Sequence, residues 1–304
     1  MLVSFKVKMS DHEKRLDLFL VEAIGDRSRS NIQKLIKEGR ICVAGKIVPN
    51  SYRVQEGEMI LCSIPEPEAV DVMPEDIPLD IAYEDEDVIL INKPKDMVVH
   101  PGVGHYTGTL VNALLHHCEG SLSGINGVLR PGIVHRIDKN TTGIVIACKN
   151  DTAHASIAQQ LKEHSITRRY RAIVHGILKD DEGTINNPIG RHATDRKKMW
   201  VGVKNAKTAV THYRVLERFK EHTYIECVLK TGRTHQIRVH LSSINHPLLG
   251  DTLYGGKKHE LSDSQVLHAM VLGFVHPTTG EYLEFTAPLP EYFGQILDEL
   301  RRNV

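Results

Sequence analysis

Apolar positions divide the chain into two regions of different rhythm. In RLDLFLVEAI (15–24) and SNIQKLIKE (30–38) they recur every three to four residues, which predicts two short amphipathic helices. Ser28 or Ser30 is placed to cap the second helix and Gly39 to stop it. Ile32, Leu35 and Ile36 form its apolar face, with Lys34 and Lys37 lying off that face. RICVAGKIVP (40–49) then reads as a hairpin about Gly45, and GEMILCSI (57–64) as a last strand. Beyond residue 79 the pattern changes to short β-rich runs: VILIN (88–92), GIVIACK (143–149), YRAIVHG (170–176), VTHYRVLER (210–218) and YIECVLK (224–230). ASIAQQLKEH (155–164) and THQIRVHLSSI (234–244) are the clearest helices there, the latter with Ile237, Leu241 and Ile244 on one face. Strands outnumber helices and lack regular βαβ spacing, so the expected class is α+β with a mixed, largely antiparallel sheet.

The two regions meet in a stretch carrying Pro65, Pro67, Pro74 and Pro78, which cannot sustain a helix or a central strand. This predicts an N-terminal domain over 1–64, a linker over 65–78 and a second domain over 79–304. Composition suits that plan: 304 residues, 41% apolar and 25% charged, are those of ordinary globular domains. No window approaches the ~20 apolar residues of a membrane span, and the start, MLVSFKVKMSDHEKR, is charged too early for a signal peptide. Five scattered cysteines without CxxC spacing are expected to be reduced, small buried hydrophobes of a cytoplasmic, monomeric protein.

Net charge is zero, but the average conceals a division. Residues 65–87 hold ten acids and no Lys or Arg, leaving 38 basic against 28 acidic residues elsewhere. An acidic connector between basic domains is compatible with nucleic-acid binding, because phosphate contacts come from local basic patches. A solvated acidic loop beside ordinary surface lysines fits the same numbers.

Several kinds of site are excluded by spacing. GVLRPG and VAGKIV lack the Walker pattern, HPGVGHYTG fails GxGxxG, and GxSxG does not occur. His235 and His240, five apart on a helix, diverge rather than share a metal. What remains is a set of charged turns bordered by apolar runs: NKPKDMVVHPG (92–102), HRIDKNTTG (135–143), ITRRYRAIVHG (166–176) and LKTGRTHQIRVHL (229–241). Each alone is explained by turn chemistry or capping. Their shared place at strand ends points to a site.

The N-terminal order, RLDLFL then SRSNIQKLIKEGRICVAGKIV, resembles the small RNA-binding domain first described in ribosomal protein S-four; Ala44 stands where that family usually has Asn. Arg27, Arg29, Lys34, Lys37 and Arg40 crowd its second helix as a candidate phosphate-binding face. A basic surface helix without a specific partner is the other reading.

Over nearly the whole chain, VILINKPKDMVVHPG, GIVHRIDKNTTGIVIACKN, ITRRYRAIVHG and LKTGRTHQIRVHLSSINHPLLGDTLYG resemble the RluA family of pseudouridine synthases, most closely its RluD type. Ile137 replaces the family's usual Leu. The resemblance implies that Asp138 is the catalytic carboxylate, Arg233 the basic residue paired with it, and Tyr170 the tyrosine against the target base. It implies that Arg136 helps displace the uridine from its stack, that Lys93 and Pro94 support the active-site sheet, and that the partner is ribosomal RNA or a pre-ribosomal particle.

The chemistry suits these residue types. Converting uridine to pseudouridine breaks the N-glycosidic bond, turns the uracil and joins C5 to C1′. No electron or group is gained, so no cofactor is required. A carboxylate serves as nucleophile at ribose or base, or as base at the sugar. A paired arginine keeps it ionised. Unstacking the target costs a few kcal/mol, and Tyr170 offers the extruded base a flat face. A non-catalytic RNA-binding protein of the same fold would not need this set. A glycosidase would need a second acid near Asp138.

Overall fold

The computed structural model describes residues 2–25, 29–63, 72–102, 104–125, 127 and 130–303. By its internal contacts the chain divides into Met1–Val70 and Asp71–Val304.

In the first unit, β1 (Leu2–Lys6), α1 (Leu16–Ile24), α2 (Arg29–Lys37), β2 (Ile41–Val43) and β3 (Met59–Ser63) follow in order. The helical stripes bury Leu16, Leu20, Ile32, Leu35 and Ile36 against Ile41 and Ile60 of the sheet. Both predicted helices are present; Ser28 and the Ser30 side chain lie outside the described residues. The hairpin about Gly45 differs from expectation. Val43 and Lys46 exchange both backbone hydrogen bonds at 2.9 Å, but the ladder of β2 runs to β3, whose other edge takes β1. The charged start of the chain thus hides a strand, because the half-buried alternation of LVSFK is interrupted by only one lysine.

Asp17, fully buried, receives hydrogen bonds from Arg15 (3.0 Å), Arg29 (3.0 Å) and Gln33 (2.6 Å). Burial raises its pKa, and these donors reverse that and hold the carboxyl well below the usual range. Arg29 is therefore spent largely on joining α1 to α2. Lys34 and Arg40 both lie within 4 Å of Glu38. Lys37 is exposed and has no acid partner among the described residues. Arg27 lies outside them.

The second unit runs β4 (Ile81–Glu84), β5 (Val88–Lys93), α3 (Leu110–His117), β6 (Thr142–Cys148), α4 (Asp151–Glu163), β7 (Thr167–His175), β8 (Glu182–Asn186), a small pair β9 (Ile189–Arg191) and β10 (Met199–Val201), β11 (Val210–Arg218), β12 (His222–Leu229), α5 (Gln236–Ser243), β13 (Leu267–Val275), β14 (Tyr282–Thr286) and α6 (Glu291–Arg302). Its main sheet has the order β4-β5-β6-β13-β7-β12-β11-β8, with β14 on β13. Only β6 and β13 pair in parallel among the described residues. The α+β class and the mixed, largely antiparallel sheet agree with expectation. β13, α3 and α6 lie outside the predicted elements.

Period-two alternation sorts the central strands between two cores. Val88, Leu90, Ile144 and Ile146 pack under α4, while Ile89, Ile91, Val145 and Ala147 join Leu110 and Leu114 of α3 and Ile237 and Leu241 of α5. Strands covered on both faces read as unbroken apolar runs. Four of the five cysteines are buried and all are free. No described helix is long and apolar enough to cross a membrane.

Of the expected linker, residues 65–71 lie outside the described ones, and 72–78 is fastened to the second unit. Asn112 accepts from the Glu75 N–H at its carbonyl (3.0 Å) and donates to the Met73 carbonyl (2.8 Å), while Ile77 packs on the core. Prolines exclude regular structure there but not docking. The acids at 84, 85 and 87 are likewise structural. They bind Lys149, backbone amides and Asn150.

Candidate active site

The turn HRIDKNTTG connects the core to the start of β6 and is fixed at several atoms. The Thr141 N–H closes it on the Asp138 carbonyl at 3.0 Å, and the Ile146 N–H donates to His135 Nε2 at 3.1 Å. Ile137 is buried in the core. Lys93, fully buried, donates from Nζ to the carbonyls of Pro94 (2.7 Å), Met97 (2.9 Å) and Lys139 (2.9 Å). It thereby ties the end of β5 to the residue after Asp138. Burial pushes its pKa down to about 7, against the pull of Asp138 and Asp96. The closing Gly143 has φ +109°, and a Cβ there would stand 2.2 Å from the Ala269 carbonyl oxygen of β13. The glycine lets the parallel strands meet, which sets where the turn emerges.

Asp138 opens onto a cleft of ≈ 510 Å³ lined also by Arg136, Tyr170, Arg233 and Arg238. Tyr170 comes from β7 and is buried; Arg136 is exposed at the turn. The sequence-predicted residues of the second domain therefore converge on one cavity. Their pairing does not follow expectation. The partner of Asp138 is Arg238, whose Nη1 donates to Asp138 Oδ2 at 3.0 Å, not Arg233. Arg233 Nε donates instead to the Thr208 carbonyl at 3.0 Å.

The local backbone explains this. Gln236 accepts at Oε1 from the Thr231 hydroxyl (2.7 Å) and the Arg233 N–H (3.0 Å), and its amide donates to the Val210 carbonyl (3.0 Å). With His235 in the left-handed region (φ 55°), the turn holds Arg233 toward Thr208, and α5 carries Arg238 to the carboxylate.

Arg238 forms a fork to Asp251, Nε–Oδ2 at 2.7 Å and Nη2–Oδ1 at 2.9 Å, and lies over the Tyr254 ring at 5.0 Å. Burial lowers its pKa, but Asp251 and Asp138 outweigh that and raise it above the ordinary arginine value. His235 Nε2 lies 3.7 Å from Asp138 Oδ1, yet burial lowers its pKa despite the carboxylate, so a neutral imidazole faces Asp138. His240 lies elsewhere, on Thr211 and the Asn187 carbonyl. Sequence reasoning missed Arg238 and Asp251. The apolar face read from the sequence, Ile237, Leu241 and Ile244, does not show that residues 236–241 are all buried, and it is that burial which requires a partner for the Arg238 charge.

A fixed carboxylate clamped by a buried guanidinium, beside a buried tyrosine, can act as nucleophile or base on a ligand in the cleft. Comparison with known proteins shows what the whole chain is similar to. Residues 87–243 match the family model for RNA pseudouridylate synthase, and residues 14–60 match the S4 domain. An uncharacterised RNA pseudouridine synthase of Bacillus subtilis is 52% identical over 98% of both chains. Ribosomal large subunit pseudouridine synthase D of Vibrio vulnificus is 44% identical, covering 98% of this chain and 94% of its own. The human RNA pseudouridylate synthase domain containing 1 structure superposes with a TM-score of 0.56 at 27% identity, covering 78% of this chain and 98% of that one. Sequence, fold and relatives agree, and the chain belongs to the RNA pseudouridylate synthase family.

Proposed function

We propose that this pseudouridine synthase isomerises uridines of large-subunit ribosomal RNA, with Asp138 as the catalytic carboxylate. The observation that carries the catalytic assignment is the placement of Asp138: an acid in a turn anchored by Lys93, opening on the cleft and held by Arg238. Each route to pseudouridine, by attack at C1′, attack on the base, or removal of a sugar proton, begins from an ionised carboxylate. Arg238 stabilises that form and fixes its direction. Burial raises the Tyr170 pKa, and Asp138 adds to this against Arg168, so the residue remains a neutral phenol whose ring faces the base. Arg136, exposed at the turn, takes the place of the extruded uridine in its stack.

The RNA class is supported by the names of the Vibrio vulnificus and Zymomonas mobilis relatives, both ribosomal large subunit pseudouridine synthase D, and by the S4-domain match. In this reading residues 1–64 are the RNA-binding domain, with Lys37 the candidate cation of its second helix that has no acid partner among the described residues, and 79–304 the catalytic domain. Mapping pseudouridines in RNA from cells with and without the protein tests the proposal. Loss of one or more sites in large-subunit ribosomal RNA is the expected result. Unchanged ribosomal RNA with sites lost from transfer RNA would replace the substrate class.

A further inference from the structure

Three arginines crowd one strand, β7, and the alternation of the strand separates their fates. Arg169 bonds Glu284 and Arg171 bonds Glu226. Arg168 points to the opposite side, the side of Tyr170 and Ala172, and lines the cleft. It is 7% exposed, its Nε and Nη2 have no hydrogen-bond partner, and no acid lies within ion-pair distance among the described residues. The other buried cations around Asp138 are committed: Lys93 to three carbonyls, Arg238 to two carboxylates. The chain also makes room for Arg168. Gly232, which opens the GRTHQ turn, would bring a Cβ within 2.7 Å of its Nη1.

A guanidinium buried without a counter-charge destabilises the resting protein, so such a group is retained where a negative charge arrives later. We propose that Arg168 stabilises the negative charge that develops on the uracil when its bond to the ribose breaks, an assignment that rests on reading the Asp138 cleft as the reaction site. As C1′–N1 breaks, its electron pair leaves with the base, and the charge spreads over N1 and the carbonyl oxygens. Forming C5–C1′ returns an electron pair to C1′. The proton lost from C5 is balanced by one gained at N1, so the reaction is an isomerisation without a co-reactant. Arg168 neither gives nor takes a proton. Its planar donors meet a carbonyl oxygen of the detached base, which Tyr170, two residues along the same face, holds by its ring.

The test separates this role from structural support and from phosphate binding. Tritium at uracil C5 is released when C5 joins C1′, so release from labelled RNA under single-turnover conditions reads the chemical step. Arg168→Gln should lower that rate constant by about 10²–10³-fold, the loss typical of a group acting on transition-state charge. The RNA dissociation constant should stay within about threefold, because the bound ground state carries no charge on the base. Arg168→Lys, which retains the charge, should recover at least about tenfold of the loss. The Tm of Arg168→Gln should equal or exceed that of the wild type, since an uncompensated buried charge is removed. An unchanged rate, a loss confined to RNA affinity, or a rate loss accompanied by a lower Tm and no rescue by Lys would each overturn the proposal. Asp138→Asn, assayed in parallel, distinguishes its failure from that of the site: full turnover by that variant would overturn the cleft reading beneath it.

Discussion

Replacing Arg238 by methionine removes the centre of a buried charge cluster and leaves Asp251, 2% exposed, without its fork. Breaking a buried ion pair by removing one partner costs about 3–5 kcal/mol. For a unit of this size each kcal/mol moves the Tm by about 2–4 °C, so a fall of roughly 6–20 °C is expected. Much of that penalty belongs to the stranded acid, so adding Asp251→Asn to Arg238→Met should recover a large part of the stability. Turnover should not recover, because Asp138 still lacks its 3.0 Å partner. Arg238→Lys should also fail, since one ammonium cannot reproduce a fork to Asp251 and a third bond to Asp138. Arg233→Ala is the control: it loses one bond to the Thr208 carbonyl and should change stability by about 1 kcal/mol or less and turnover by less than about tenfold. Thermal unfolding and tritium release from C5-labelled RNA read the two quantities on the same preparations. Normal turnover in Arg238→Met with none in Arg233→Ala would refute the clamp and restore Arg233 as the partner.

Three further outcomes follow from other parts of the molecule. Ala44 and Gly45 both have positive φ, 46° and 78°, and alanine is strained there, so Ala44→Asn should stabilise the first unit by about 0.5–1 kcal/mol; a lower unfolding midpoint would contradict this. Burial holds the Lys93 pKa down to about 7 in the folded state against an ordinary lysine value of 10.5, so the unfolded chain binds its proton more tightly between those values. Its contribution to stability should rise with pH through that window and fall as pH drops through 7. The stability difference between wild type and Lys93→Met should therefore shift in favour of wild type from pH 6.5 to pH 9, and a difference independent of pH would refute the shift. Protein beginning at residue 71 should retain turnover on a short uridine-containing RNA yet bind structured ribosomal RNA with a shallower salt dependence, since fewer phosphates are neutralised; identical slopes would remove the first unit from RNA binding.

The parts legible in the sequence were those determined locally. α1, α2, α4 and α5 carry an apolar stripe within one segment, and the central strands are apolar runs framed by turns. The turn that carries Asp138 could be located because both of its flanks are core. Arg238 was not, because its identity as partner depends on Asp251, thirteen residues away across the end of α5, and on the Gln236 network that directs Arg233 elsewhere. The strand status of β1 depends likewise on an edge of β3 more than fifty residues distant. The acids at 84, 85 and 87 read as part of a connector since nothing in their spacing shows the lysine, amide and asparagine groups that donate to them. The isolation of Arg168 is visible only once the acids paired with Arg169 and Arg171 are seen on the other face of β7.

The most direct test of the catalytic assignment is single-turnover tritium release from C5-labelled large-subunit ribosomal RNA by purified wild-type protein and Asp138→Ala, with RNA affinity measured on both. Release by wild type, none above background by the variant, and similar affinities are predicted. Substantial release by Asp138→Ala would contradict the assignment of Asp138 as the catalytic carboxylate.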